Sequence, residues 1–234
     1  VDLKIAAALL DYLPVPREAK AQANRYAPSG RLLDSSFVWT GVSVAKASAF
    51  RLKAKFENLG LNAAEGFPGA SGLSGSLEGD ERAGTIRLAS RGVSFNAARV
   101  FAAPLVFDSL DARAAWKRDD KGIEVRIEEA RVANADADVS FAGTYRTLPG
   151  SPENSPGWVE LAGQVARARA PAVARYLPNG IATTREWLGK AVLAGDVSRG
   201  RFELKGDLWH FPFRDGSPGR FFVEAAIEGG RLQY

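Results

Sequence analysis

Apolar and polar residues alternate with period two along most of the chain. From Phe50 to Phe56, Phe50, Leu52, Ala54 and Phe56 point one way and Arg51, Lys53 and Lys55 the other, as successive side chains of a strand do. The same alternation predicts strands over 85–90, 93–97, 122–128, 137–144, 159–165, 201–206 and 221–227, and it puts Phe37 and Trp39 on one face. Turn formers separate most of these runs, as in Asp119-Asp120-Lys121-Gly122 and Pro149-Gly150-Ser151-Pro152. Many short strands joined by turns predict an antiparallel sheet, and one polar face per strand predicts a sheet apolar on one side only. The Gly-rich run 66–79 reads as a mobile loop crossing between strands.

Helical signals are confined to 2–26 and 171–193. Leu3, Ala7 and Leu10 recur at helical spacing until Pro14, and Pro16 opens a second helix that ends at Pro28-Ser29-Gly30. Pro171 opens a short turn, and Thr183 with Glu186 has the spacing of a capping box. These helices are expected to pack over the sheet or cap its mouth.

The two helical places resemble each other. Both carry Tyr-Leu-Pro, at 12–14 and 176–178. Residues 29–41 align without gaps to 194–206, matching Gly30 with Gly195, Phe37 with Phe202 and Gly41 with Gly206; 50–57 resembles 221–228. The chain therefore reads as a single elongated fragment, 1–234, of a larger protein. Repeat copies are expected at 1–62 and 171–234, with a β-rich segment, 63–170, between them. A repeating unit implies an extended object built by stacking.

Composition narrows the chemistry. Of 234 residues, 46% are hydrophobic and 25% charged, which is globular composition. There is no cysteine, hence no disulfide framework, thiolate metal site or Cys nucleophile. The net charge of +4 is spread along the chain, whereas nucleic-acid binding calls for a concentrated basic stripe. A weak attraction to anionic lipid headgroups is compatible with it. No apolar run approaches the roughly 20 residues of a membrane span.

No motif carries catalysis. Gly69-Ala-Ser71-Gly72-Leu-Ser74-Gly75 lacks the glycine spacing of a nucleophile elbow, and His210 is the single histidine available as a base. Asn134-Ala-Asp136-Ala-Asp138 offers three oxygen ligands, but Val139 and Tyr145 stand where a calcium loop needs glycine and glutamate; the run reads as a solvated strand face. Glu128 and Glu129 are adjacent, so on a strand they face opposite sides. The expectation is no enzyme, no metal and no cofactor. Trp39, Trp116, Trp158, Trp187 and Trp209 admit a second reading, as platforms for stacking on sugars.

Residues 66–79, followed by the strand Gly84 to Leu88, resemble the middle of the YhdP-like proteins, members of the wider AsmA-like group of repeating β-groove proteins. Tyr176-Leu-Pro with Trp187-Leu188 and Gly195-Asp-Val, and the block Gly206 to Phe221 with Phe211-Pro-Phe213, extend the resemblance over most of 12–234. The resemblance implies a periplasmic fragment of a Gram-negative protein anchored in the inner membrane by a missing part of the chain. It implies a curved β-sheet forming a groove that carries phospholipid, or another acyl-chain lipid, between the inner and outer membranes, with envelope proteins as possible partners. It supplies no catalytic residues.

Elementary energetics fits a groove. Exposing an acyl chain of ~16 carbons to water costs on the order of 13 kcal/mol at ~0.8 per methylene. A conduit must cover the chain throughout without gripping it at one point. The fold expected is mainly β: an elongated, curved antiparallel sheet with a few short helices packed on it. The lining expected is Phe37, Trp39, Phe50, Leu52, Phe56, Ile86, Leu88, Val125, Ile127, Phe141, Leu161, Phe202, Leu204, Phe221 and Val223. The alternative is a periplasmic scaffold or glycan-binding β module without lipid transport.

Overall fold

A computed structural model describes residues 1–12, 17–41, 47–64, 67–148, 155–214 and 216–233. Pro14, Pro16, Gly66 and the 149–152 turn lie outside the described residues. Ten strands make one antiparallel sheet in chain order: β1 (Ser29–Gly41), β2 (Ala47–Leu61), β3 (Gly69–Asp80), β4 (Ala83–Asn96), β5 (Leu105–Asp119), β6 (Gly122–Ala133), β7 (Ala137–Arg146), β8 (Trp158–Arg169), β9 (Val192–Asp207) and β10 (Gly219–Leu232). β1 and β10 are its two edges, so the sheet is open and not closed into a barrel.

Turn chemistry sets the hairpins. Between β3 and β4, Asp80 Oδ1 accepts from the amides of Arg82 and Ala83, each at 2.8 Å. Those two bonds hold the Asp80 carboxyl below its ordinary range. Between β6 and β7, Asn134 Oδ1 accepts from the amides of Asp136 (2.9 Å) and Ala137 (3.0 Å). Asn134 to Asp136 are thus a hairpin turn rather than a strand face, and only Asp138 of the three oxygen-bearing residues stands on β7. Seven of the nine strand pairs carry a register shift, and such bulges bend a strand and increase its twist.

The polar face is held by ion pairs between directly opposed residues: Lys53–Glu78 (3.7 Å), Arg113–Glu129 (2.7 Å), Glu160–Lys205 (3.0 Å) and Arg201–Glu224 (2.6 Å). Exposed pairs of this kind contribute little energy each, but like charges opposed in a slipped register would repel.

Three further expectations are corrected by the strands and helices. Residues 69–79 of the Gly-rich run lie in strand β3, not in a crossing loop; Gly72 and Gly75 lie against the backbone of β4, and Gly79 against the Trp116 ring. The alternation signals at 85–90 and 93–97 belong to one strand, β4, whose inward set changes phase at Gly92 (φ +64°): Gly84, Ile86, Leu88 and Ser90 are sheltered before it, Val93 and Phe95 after it. The Thr183–Glu186 capping box does not form. The helix α3 starts two residues earlier (Ala182–Ala191), with Ile181 at its N-cap and no side-chain cap bond.

The helices differ in how they pack. α1 (Leu3–Leu9), capped by Asp2 through Ile5 N–H at 3.1 Å, buries none of its residues; α2 (Arg17–Tyr26) follows it. Residues 170–191 instead bury Ala170, Ile181 and Ala191. Both places are helical segments leading into an antiparallel strand pair. Within those pairs Phe37 opposes Leu52 and Trp39 opposes Phe50, just as Phe202 opposes Val223 and Leu204 opposes Phe221.

Candidate functional site: the apolar face of the sheet

Directly opposed residues of neighbouring strands share a face, so the register traces rows of side chains across the sheet. One row runs Phe37, Leu52, Gly79, Gly84, Trp116, Val125, Tyr145, Val159, Gly206, Gly219. The second runs Ser35, Ala54, Leu77, Ile86, Ala114, Ile127, Gly143, Leu161, Leu204, Phe221. The third runs Leu32, Phe56, Gly75, Leu88, Ala112, Ala130, Phe141, Gly163, Phe202, Val223. Each crosses all ten strands. At ~4.8 Å per strand spacing each row is about 43 Å long. Ser35, at one edge, the Trp116 indole N–H and the Tyr145 hydroxyl are the polar side-chain groups in them; burial pushes the Tyr145 phenol up.

All fifteen residues expected to line a groove fall on this one face. Phe37, Leu52 and Val125 stand in the first row. Ile86, Ile127, Leu161, Leu204 and Phe221 stand in the second. Phe56, Leu88, Phe141, Phe202 and Val223 stand in the third. Trp39 and Phe50 oppose each other just beyond the first row. Phe37 stacks on Trp39 with ring centroids 5.7 Å apart and reaches Phe50 at 5.9 Å.

The face is apolar but incompletely covered. Phe56 (5% exposed) and Val159 (5%) are buried, whereas Phe37 (41%), Trp39 (44%) and Val223 (56%) are open at the sheet's edges. Most of the rest are half-buried. A concavity of about 330 Å³ on this face joins Phe50 of β2, Leu77 and Gly79 of β3, Trp116 of β5 and Ile123 of β6, with Asp80, Glu81 and Arg118 also lining it.

Large side chains fill the places of glycines. The Trp116 ring lies over Gly79 and Gly84, and Phe202 over Gly163. A glycine beside an aromatic keeps the face continuous without overpacking.

The lining expected from the sequence omits Leu77, Trp116, Tyr145 and Val159, which the register places on this face. β5 carries its inward set as Leu110, Ala112, Ala114 and Trp116, a period-two pattern hidden because alanine gives a weak signal. Of the tryptophans, Trp39 and Trp116 belong to this face, and Trp158 sits on the polar side under Arg146 (4.2 Å to the ring centroid). Trp187 and Trp209 are exposed on separate short helices. His210 is exposed in the 3-10 turn Leu208–His210. Glu128 and Glu129 are both exposed rather than on opposite sides, because the ladder shifts between Ile127 and Ala130. Among the described residues no three His, Cys, Asp or Glu side chains are grouped to hold a metal ion. Nor is any helix among them long and apolar enough to cross a membrane.

No curated protein and no solved structure matches the chain. The family described as YhdP protein matches it over residues 1–234. The chain belongs to that family, an AsmA-like family of cell-envelope proteins.

Proposed function

We propose that this member of the YhdP family is a periplasmic segment of a lipid-transfer conduit, and that its apolar face shields phospholipid acyl chains travelling between the inner and outer membranes. In this reading it performs no chemistry. It contributes to outer-membrane integrity by keeping acyl chains out of water, and the membrane anchor lies in another part of the longer protein.

One observation carries the reading: three apolar rows cross all ten strands of an open sheet. An enclosed core would need a second layer over this face. Here the side chains at the edges remain exposed. Many similar shallow contacts, with no charged group inside the rows, let a chain slide from one strand to the next with little change in energy. The cost of exposing methylenes to water keeps it from leaving.

The test is mass spectrometry of organic extracts from gently purified protein, beside a Leu52→Asp, Leu88→Asp variant. Both substitutions put a charge into the rows, which apolar surroundings penalise. Stoichiometric phospholipid in the wild type and none in the folded variant is the expected result. No lipid in a folded, monodisperse wild type would favour a scaffold or glycan-binding module, whose signature is quenching of tryptophan fluorescence by oligosaccharides.

A further inference from the structure

The apolar rows end, on the β9–β10 side, under the chain itself. Residues 170–191 leave β8, run inward as the 3-10 turns Ala170–Tyr176 and Asn179–Ile181, and return to β9 as α3. This finger is held at its root and at its tip. At the root, the Tyr176 hydroxyl donates to Asp136 Oδ2 (3.2 Å) and accepts from Asn134 Nδ2 (2.8 Å), while Arg175 pairs with Asp136. At the tip, the Asn179 amide donates to Val100 O (2.7 Å) and its Nδ2 to Ala98 O (3.2 Å), both in the connection between β4 and β5. Arg185 of α3 steadies the same side chain through Nη1–Oδ1 at 2.6 Å.

The far side of the tip meets a second plug. Gly180 lies against Phe211, whose ring a Cβ on Gly180 would approach to 3.0 Å. The finger and the β4–β5 connection spring from one end of the strands, and Phe211 from the β9–β10 connection at the other. They meet over the apolar face. Phe211 packs edge-on to Phe221 (5.4 Å between centroids), the last member of the second row. Phe213 covers Gly206 and Gly219, the last two members of the first.

We propose that the finger tip and Phe211 form a displaceable stopper. They hold the place of an acyl chain at the β9–β10 end of the rows and give way when Asn179 releases Val100 and Ala98. The inference rests on the lipid reading above. Two features make the tip releasable. Its latch to the β4–β5 connection consists of two hydrogen bonds from a neutral side chain and an amide to carbonyls, which water can replace at small net cost. The root is held separately, by an ion pair and the hydrogen bonds of half-buried Tyr176, so the tip can leave without unfolding the sheet. Ile181, 7% exposed beside the tip, is apolar surface that a lipid chain would replace in kind.

The chain has no cysteine, so a Val100→Cys, Asn179→Cys variant forms one defined cross-link. The assay is uptake, from phospholipid vesicles, of a phosphatidylethanolamine bearing a fluorescent acyl chain. The oxidised variant, with the link verified by mass, is expected to take up the probe about tenfold more slowly than the same protein reduced, since locking removes the competent state. Asn179→Ala, which keeps the amide but loses the side-chain bonds, is expected to speed uptake a few-fold at an unchanged melting temperature. Equal rates for the linked and reduced protein, or a wild-type rate for Asn179→Ala, would overturn the stopper and leave the lipid reading intact. If the pair fails to cross-link, Asn179→Ala decides alone. No uptake by the wild type or any variant would overturn the lipid reading itself, and the stopper with it.

Discussion

Phe202 lays its ring over Gly163, its directly opposed neighbour across the β8–β9 pair; a Cβ on Gly163 would stand 2.5 Å from the ring. The glycine has no side chain because the phenylalanine occupies its space, and the two together fill one stretch of the third apolar row. Gly163→Val must therefore push the ring outward or open the strand pair. The expected cost is about 1–3 kcal/mol, as for other overpacked sites, read as a lower urea midpoint at unchanged slope. A variant as stable as the wild type would show that the ring is not confined there.

Ser90 is 1% exposed, the deepest polar side chain among the described residues. Its Oγ accepts from Ser74 N–H at 2.9 Å and donates to Ser74 O at 3.1 Å, replacing the ladder bonds lost where β3 and β4 shift register. Ser90→Ala removes both of these bonds. The expected loss is about 1–3 kcal/mol, with faster amide exchange at Ser74. Unchanged exchange would mean that water reaches this part of the sheet.

How far these features were legible in the sequence depends on what encodes them. The alternation at Phe50–Phe56 or Ile123–Ile127 is local, and it placed fifteen side chains on one face because period two leaves no other choice. β3 was not legible, because Gly75 and Gly79 carry no apolar signal. What fixes them there comes from elsewhere in the sheet: the β4 backbone at Arg87 lies against Gly75, and the Trp116 ring lies over Gly79. β5 was obscured by the alanines at 112 and 114. The stopper was invisible for a stronger reason: Asn179 and Val100 lie 79 positions apart, and no pattern in either neighbourhood announces their bond. The likeness between the two helical places was visible, but the difference in packing between α1 and the 170–191 finger was not.

Asp138 and Arg131 supply a pH-dependent contribution. Arg131 donates to both carboxylate oxygens, at 2.9 and 2.7 Å, and holds the Asp138 carboxyl below its ordinary value of 3.8. A carboxylate whose folded value is depressed stabilises the fold fully above its unfolded value. That contribution is lost as pH falls through the folded one. The wild type is therefore expected to exceed Asp138→Asn in urea stability at neutral pH, with the gap closing below about pH 4. A gap constant down to about pH 2 would show that the difference arises from packing rather than charge.

The central claim is that one face of this sheet, and not the other, meets acyl chains. Leu161 and Glu160 are neighbours on β8, so their side chains point to opposite faces. Leu161 stands in the second row between Gly143 and Leu204, and Glu160 pairs with Lys205 on the polar side. The most direct measurement places a photo-cross-linking phenylalanine analogue at each position in turn, illuminates the protein with phospholipid vesicles, and weighs the products. Lipid adducts at 161 and none at 160 are the predicted result. Equal labelling at the two positions, or adducts at 160 alone, would contradict the account.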